Sequence, residues 1–169
     1  MQFFTPINIK PLKPSITYKD NILLVGSCFT EHIGNYLMKV KFNAHQNPNG
    51  ILFNPISICN SLVSYIHNKQ YYENDLFFLN EAWHSWQHHS RFSNTDLQEG
   101  LRIINESQNT AHRFLQRAEW IIITLGSSFV YKLSPEAPLS LKRGAETVAN
   151  CHKAPAQTFI KHLCTIDEI

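Results

Sequence analysis

The chain has 169 residues, of which 43% are hydrophobic. This is long enough for one compact domain with a sizeable core and too short for two, so we predict a single α/β domain over residues 1–169. The formal net charge is only +2, from 15 basic and 13 acidic residues without a run of like charges. Such a surface argues against nucleic acid or an anionic membrane as a partner and favours a small molecule or a protein.

The four cysteines, Cys28, Cys59, Cys151 and Cys164, form no Cys-x-x-Cys pair and have no histidines at zinc-finger spacing. We therefore expect neither a disulfide framework nor a structural zinc ion. Residues 1–17 contain no basic segment followed by an apolar one, and no apolar stretch approaches the roughly 20 residues of a membrane span. These features predict a cytoplasmic protein with no membrane-spanning segment.

The first predicted elements are a strand and a helix with almost nothing between them. Residues 21–25 are an apolar run that is closed by Gly26, which is typical of a strand buried on both faces. Residues 30–41 have apolar positions near helical spacing, and Glu31 complements the positive end of the helix dipole. The strand should therefore turn directly into the helix around Ser27.

Weaker signals follow in the middle of the chain. Residues 42–45 predict a short extended segment, residues 47–50 a turn, and Asn54 with Pro55 the cap and first turn of a second helix. The apolar positions expected to be its buried stripe are Ile58, Leu62, Val63 and Ile66. Residues 75–92 are rich in aromatic side chains and alternate loosely, which favours a hairpin or an irregular insertion.

A third helix and a further strand complete the pattern. Thr95 and Gln98 fit a capping box, and the apolar spacing after them predicts an amphipathic helix to about Arg117. Residues 120–125 are a second apolar run, which we interpret as another buried strand. A strand, a crossing helix and a second strand indicate the doubly wound α/β class with a mostly parallel sheet.

Ser27 is the residue with the clearest chemical potential. It lies where a buried strand meets a helix, at the carboxyl edge of the predicted sheet, where ligands bind in open α/β folds. Backbone N–H groups at the start of the helix could face an oxyanion, so we expect a free hydroxyl there to act as a nucleophile. The alternative is that Ser27 only caps the helix, because serine is favoured at that position.

Five segments resemble the GSCFA family, which lies within the SGNH or GDSL-like hydrolase group. The pentapeptide at residues 26–30, Gly-Ser-Cys-Phe-Thr, is similar to the signature of the family. Four more segments are similar to the family in the same order, at residues 47–55, 83–90, 124–131 and 148–153. The resemblance implies a three-layer, flavodoxin-like α/β fold and hydrolysis of an ester, on an acylated carbohydrate or a lipid-like substrate, without a cofactor.

The resemblance also implies roles for individual residues. Ser27 would be the nucleophile, and the backbone N–H groups of Cys28 and Gly50 would bind the oxyanion. The group places a third donor, an asparagine, two residues after the glycine of the middle strand, but this chain has Ser128 there. Asn150 is the candidate to replace it.

The catalytic base is missing from the expected pattern. Members of the family carry an Asp-x-x-His element near the C-terminus, and none occurs in these 169 residues. Serine without a base is a weak nucleophile, which favours an inactive chain as the alternative to a working hydrolase. His89 and His152 are candidates for a replacement base or for a substrate contact.

The residues leave two explanations of the missing base open. Residues 165–168 resemble the start of a helix that the sequence does not continue, which favours either a domain incomplete at its C-terminal end or a frayed tail. The corresponding functional alternatives are a non-catalytic domain that retains a binding cleft and a fragment completed by a further segment or partner. An incomplete sheet would leave an unpaired edge, so we expect self-association.

Two other chemistries are less well supported. His84 and His88 are four residues apart, next to His89, and could share a helix face as zinc ligands, but no glutamate follows the first histidine and the surrounding residues do not favour a helix. We therefore expect no metal. Cys28 could itself be a nucleophile, but adjacent side chains point apart in such a turn, so a small buried hydrophobe is expected there.

Overall fold

The computed structural model describes residues 7, 10–11, 13–144 and 147–169. These residues contain three α-helices and eight strands in three small sheets, which confirms a mixed α/β protein. The helices are α1 (Cys28–Lys39), α2 (Pro55–Ile66) and α3 (Leu97–Leu115). The strands are β1 (Asn21–Gly26), β2 (Asn43–Gln46), β3 (Phe77–Leu79), β4 (Ala82–His84), β5 (Trp120–Thr124), β6 (Phe129–Leu133), β7 (Thr147–Val148) and β8 (Phe159–Leu163).

The first sheet has the order β2-β1-β5, and both pairs are parallel, as predicted. Strand β1 is central, and its residues Ile22, Leu23, Leu24 and Val25 are fully buried. Leu23 and Val25 pack against side chains of α2 and α3, among them Ile58 and Phe114. Burying one such aliphatic side chain contributes about 1.5–3 kcal/mol, so this strand is the centre of the core.

Strand β5 departs from its predicted burial. Ile121 is 48% exposed and Ile123 is 47% exposed, whereas residues 120–125 were expected to be a fully buried run. Among the described residues β5 pairs only with β1, so it is an edge strand. Side chains alternate between the two faces of a strand, and here one of those faces is left largely open.

The buried stripe of α2 was also predicted wrongly in part. Ile58 is buried, but Val63 and Ile66 are exposed. Serines Ser61 and Ser64 take the inner positions instead, and each hydroxyl donates to the carbonyl three residues earlier. A serine that bonds back to its own helix can be buried without an unpaired hydroxyl, which a search for apolar spacing does not detect.

Aromatic side chains organise the second half of the chain. Strands β3 and β4 form the expected hairpin, and Trp86 stacks on Phe77 with ring centroids 3.7 Å apart. The Trp86 indole N–H donates to the Leu141 carbonyl at 2.9 Å. A third sheet, antiparallel and in the order β7-β6-β8, lies beyond it and had no predicted counterpart.

Two helix starts differ from their predicted form. Helix α3 begins after Asp96, whose carboxylate accepts the Glu99 N–H at 2.8 Å, so the cap is Asp96 rather than Thr95. Near the C-terminus the residues Ile166–Glu168 form one turn of 3₁₀ helix. There the Thr165 N–H donates to the Glu168 carboxylate at 2.7 Å, which is one half of the predicted capping box.

Candidate functional site

The junction between β1 and α1 brings Ser27 to the carboxyl edge of the parallel sheet, as predicted. Gly26 pairs with Thr124 of β5 and has φ of 150°, and a side chain at Gly26 would collide with the Thr124 carbonyl. Only glycine combines this backbone angle with so close an approach of two strands. The chain therefore leaves the sheet at Gly26 and enters the helix at Cys28.

Ser27 occupies the N-cap position of α1 but does not cap it. Its side chain accepts no hydrogen bond from the first turn of the helix. Instead its Oγ lies 3.1 Å from the Thr124 Oγ1, and its own N–H donates to the same Thr124 oxygen at 3.1 Å. Among the described residues nothing accepts the Cys28 N–H, so this amide at the positive end of the helix dipole remains unpaired.

The surroundings of Ser27 correct two expectations. The hydroxyl was expected to stand free, but it is bonded to Thr124 and the residue is only 8% exposed. Phe53 and Gly126 lie beside Ser27. Their closeness is seen from Gly126, where an added side chain would contact both Phe53 and the Ser27 Cβ. Cys28 was expected to be a buried hydrophobe and is exposed, since the first turn of α1 points its side chain outwards.

Asn47 is a part of this region that the sequence did not single out. Its Oδ1 accepts the Gly26 N–H at 2.9 Å, and its N–H donates to the Leu24 carbonyl at 2.8 Å. Its φ is 44°, a left-handed conformation that asparagine tolerates better than most residues. The signal for it was an asparagine directly after β2 and before a proline. Its Nδ2 is buried and has no hydrogen-bond partner in the described part of the chain.

Gly50 and His89 lie in contact. Gly50 has φ of 84°, and a side chain there would collide with the His89 Cβ. The His89 N–H donates to the Asn49 carbonyl at 2.8 Å, which joins the aromatic segment to the turn after β2. The Gly50 N–H, the predicted oxyanion donor, donates to the Asn47 carbonyl at 2.8 Å.

The hydrogen bonds of His89 select one protonation form of its ring. Its Nδ1 accepts the Arg91 N–H at 3.2 Å, so the neutral ring carries its proton on Nε2. Partial burial and the nearby Arg91 guanidinium lower the pKa of His89, which favours the neutral ring. In this form Nε2 is a hydrogen-bond donor and has no lone pair with which to accept a proton.

His152 has the opposite arrangement. Its Nε2 lies 2.8 Å from the Ser85 carbonyl and must donate to it, so Nδ1 of the neutral ring keeps a lone pair. That Nδ1 is buried without a partner among the described residues. Burial lowers the pKa of His152 to about 4. No hydrogen bond or ring contact in the described part of the chain joins His152 to Ser27.

Asn150 lies next to His152 and is anchored through its backbone. Its N–H donates to the Trp86 carbonyl at 3.3 Å, and its Oδ1 accepts the His152 N–H at 2.9 Å. Its Nδ2 makes no hydrogen bond within the described residues. The residue is half-buried, so this N–H₂ group is available to a ligand.

His84 and His88, whose spacing resembles that of zinc ligands on a helix, do not share a face. Both ring nitrogens of His84 are occupied, Nδ1 by Ser93 and Nε2 by the Leu79 carbonyl. His88 is buried, its Nδ1 lies 2.9 Å from the Ser85 Oγ, and burial lowers its pKa to about 3. His84 belongs to β4 and His88 follows a turn, so the i and i+4 spacing of a helix does not apply.

A different trio places its potential ligand atoms within 4.8 Å of one another, namely His162, Cys164 and Glu168. The His162 Nε2 is 3.0 Å from both carboxylate oxygens of Glu168, so an ion pair already explains why these two residues are close. Glu168 also accepts the Thr165 N–H, which with His162 lowers the pKa of its carboxyl to about 2. All four cysteines are free.

Fold and site together define an α/β protein that presents a serine where a central parallel strand meets the following helix. Comparison with known families then identifies it further: the chain belongs to the GSCFA family, whose model matches residues 21–169. No curated protein and no solved structure matches the chain. Within its described residues, no helix combines the length and the apolar character needed to cross a membrane.

Proposed function

We propose that this protein is a serine ester hydrolase of the SGNH type, with Ser27 as its nucleophile. One observation carries the proposal: Ser27 stands at the N-cap of α1 without capping it, so among the described residues the Phe29 and Thr30 N–H groups have no acceptor, and neither has the Cys28 N–H beside the hydroxyl. A serine that only stabilised the helix would bond to these amides and contribute about 1 kcal/mol. Membership of the GSCFA family supports the same assignment.

The proposed reaction uses the residues in the following way. The Ser27 Oγ attacks the ester carbonyl while its proton passes to a base from the solvent, and the C–O bond breaks as the alcohol leaves with a proton. The acyl group remains on Ser27 until water attacks it and releases it as an acid, which returns the proton to Ser27. The Cys28 N–H binds the oxyanion, and the Asn150 Nδ2, which has no partner among the described residues, is the second donor. The Gly50 N–H can contribute only if it shares or breaks its bond to the Asn47 carbonyl.

The substrate class that we propose is an acyl or acetyl ester of a carbohydrate or a lipid-like molecule. Exposed apolar side chains border the Ser27 region, since Phe29 and Phe53 are both exposed. Such side chains favour contact with the carbon skeleton of a sugar or an acyl chain. The reaction as proposed uses no cofactor and no metal.

Neither candidate histidine is placed to accept the proton of Ser27 in this reaction. His89 presents a donor rather than a lone pair, and His152 has a pKa of about 4 and no described bond to Ser27. We propose that His89 contacts the substrate through its Nε2–H. The same observations favour a second candidate function, a non-catalytic domain that binds an ester or an acid beside Ser27. In serine hydrolases, removal of the base lowers the rate by several orders of magnitude, so a domain without a base is expected to bind its ligand with little or no catalysis.

Chemical rescue separates these two candidates. The 169-residue chain is incubated with p-nitrophenyl acetate and with a fluorophosphonate probe, with and without added imidazole, beside S27A as the matched control. We expect slow labelling that depends on Ser27 and rises with imidazole, because the added base takes the proton that no described side chain accepts. Equal signals from the wild type and S27A under all conditions would refute the hydrolase and leave the binding domain.

The arrangement of layers is also proposed. Leu23 and Val25 of β1 pack against α2 and α3, and α1 contacts β1, β2 and β5. Because side chains alternate along a strand, Ile22 and Leu24 face the other side, which we assign to α1. This gives the three-layer α/β arrangement expected for the family. An experimental structure with α1 and α2 on one side of the sheet would contradict it.

We propose further that the protein is cytoplasmic and that it self-associates. Four free cysteines, two of them exposed, suit a reducing compartment. In the part of the chain that the structure describes, one edge of strand β5 has no partner strand, and Ile121, Ile123 and Leu125 are exposed to a second copy of the chain. Edges of this kind pair readily with other strands unless they are blunted or covered.

A further inference from the structure

The hydroxyl of Thr124 is the meeting point of three groups. Thr124 is the last residue of β5, and its Oγ1 accepts the Ser27 N–H at 3.1 Å. The Ser27 Oγ is 3.1 Å away, and the Thr30 Oγ1 is also within hydrogen-bonding contact. Thr30 is fully buried, so the cluster is closed on that side.

Counting protons and lone pairs limits how these hydroxyls can be bonded. A threonine hydroxyl has one proton to donate and two lone pairs that accept. The Ser27 N–H uses one lone pair of Thr124, which leaves one lone pair and the proton for Ser27 and Thr30. If Thr30 donates to Thr124, then Thr124 donates to Ser27, and the Ser27 proton is free for an external base.

The Ser27 side chain thus has two competing partners. It could accept a bond from the Phe29 or Thr30 N–H and cap α1, which is the usual choice of an N-cap serine. Thr124 draws it away from those amides, and the same oxygen also ties down the Ser27 backbone.

We propose that Thr124 is a positioning residue for Ser27: it holds the hydroxyl off the helix cap, keeps the amides of α1 open for an anion and donates to Ser27 Oγ as negative charge develops there. This inference deepens the proposed hydrolase function and its catalytic consequence rests on it. The positioning itself can be measured without any reaction. Its effect on the chemistry should be on the acylation step and not on substrate binding.

The test compares T124V, which removes the hydroxyl and keeps the shape, with T124S, which keeps the hydroxyl. In T124V we expect fluorophosphonate labelling of Ser27 to slow by about 10- to 100-fold at saturating probe, with little change in the probe concentration for half-maximal rate. T124S should stay within about threefold of the wild type, because the three hydrogen bonds can re-form. T124A serves as a second hydroxyl-free variant if T124V does not fold.

Amide hydrogen exchange measured by NMR reports the positioning directly. Loss of the Thr124 acceptor should speed exchange of the Ser27 N–H by about tenfold, and capping by the released Ser27 side chain should slow the Phe29 or Thr30 N–H. T124S should show the wild-type pattern. A general loss of structure would speed exchange throughout the chain, so this opposite change at two neighbouring positions is specific.

The outcomes distinguish the two proposals. Labelling that depends on Ser27 but is equal in T124V and the wild type would overturn the positioning role and leave the hydrolase. Unchanged exchange at Ser27, Phe29 and Thr30 in T124V or T124A would overturn it as well. If no form is labelled but the exchange pattern changes as expected, Thr124 positions Ser27 and the hydrolase function is wrong.

Discussion

Two apolar runs of similar composition end up in different surroundings. Residues 22–25 in β1 read Ile-Leu-Leu-Val and are fully buried, whereas residues 121–123 in β5 read Ile-Ile-Ile and leave two side chains about half exposed. The two strands are adjacent and parallel in one sheet. The two strands differ in burial because they have different neighbours in the sheet. Strand β1 has a strand on both sides, whereas β5 pairs on one side only within the described residues.

This contrast shows what an apolar run predicts and what it does not. Such a run indicates a strand, and both strands were found. Its burial depends on which helices cover the sheet and on the order of the strands, and neither is a local property. Single substitutions at matched positions of β1 and β5 can test whether strand formation and strand burial are determined separately.

The largest effect is expected from truncation of the central strand. L23A removes a fully buried side chain from the cluster with α2 and α3, and should lower the free energy of unfolding by about 3 kcal/mol. I121A, at the half-exposed edge position, should cost less than about 1 kcal/mol because little buried surface is lost. Urea unfolding of the two variants measures the difference. Equal losses would mean that β5 is covered in solution.

Histidines offer the same contrast for charge. The pKa values of His88 and His152 are lowered to about 3 and 4 by burial, whereas His32 is exposed. Below pH 6.5 these two histidines bind protons in the unfolded chain but stay neutral in the folded chain. The free energy of unfolding should therefore fall as the pH drops from 6.5 towards 4. Between pH 7 and 5 we expect a loss of about 2 kcal/mol for each buried ring. Above pH 6.5 this contribution is absent, since both states are neutral.

The control separates these rings from the other titrating groups. H88Q should flatten the dependence of unfolding free energy on pH between 7 and 5, and H32Q, at an exposed histidine, is the control for the same change of residue type. Urea unfolding at both pH values is the measurement. An identical slope in H88Q and the wild type would show that His88 is not buried in its neutral form.

Adjacent cap candidates give a smaller effect. D96A removes the carboxylate that accepts the Glu99 N–H and should destabilise the protein by about 1 kcal/mol. T95A should change stability by less than about 0.5 kcal/mol, because the Thr95 side chain makes no cap bond. Thermal unfolding of both variants provides the comparison. A larger loss of stability in T95A than in D96A would support the capping box predicted from the sequence.

The edge of β5 should affect association more than stability. I123K places a charge on the exposed face and should lower the apparent molar mass of the protein in light scattering at high concentration, with a change in unfolding free energy below about 0.5 kcal/mol. I166K is the matched control, since Ile166 is 92% exposed and lies outside the strand. A wild-type chain that stays monomeric at high concentration would contradict the proposed self-association.

Much of the fold could be predicted because its signals are local. The strand and helix around Ser27, the Asn54 cap of α2 and the long helix α3 follow from apolar spacing and capping residues. The antiparallel β7-β6-β8 sheet could not, since its strands are short and their pairing joins distant parts of the chain. The buried serines of α2 were missed because their hydroxyls are satisfied within the helix.

The candidate site was predictable to a similar extent. The position of Ser27 at the sheet edge follows from a strand that turns into a helix, and the contact of Gly50 with His89 fits the segments taken together. Thr124 and Asn47 begin two of the segments that resemble the family, but neither was assigned a role, because each acts on the β1–α1 junction from another strand or turn. The ring form of His89 also depends on its bond to the Arg91 N–H, which the sequence does not reveal.

The sequence by itself determined the strand-to-helix junction, the serine placed there and membership of the GSCFA family, because these depend on residues close together in the chain. Tertiary structure decided which apolar strand is covered and where the Ser27 hydroxyl points. Both depend on groups about 100 positions away, among them Thr124, and the free energy of a side chain is set by the neighbours that it meets after folding.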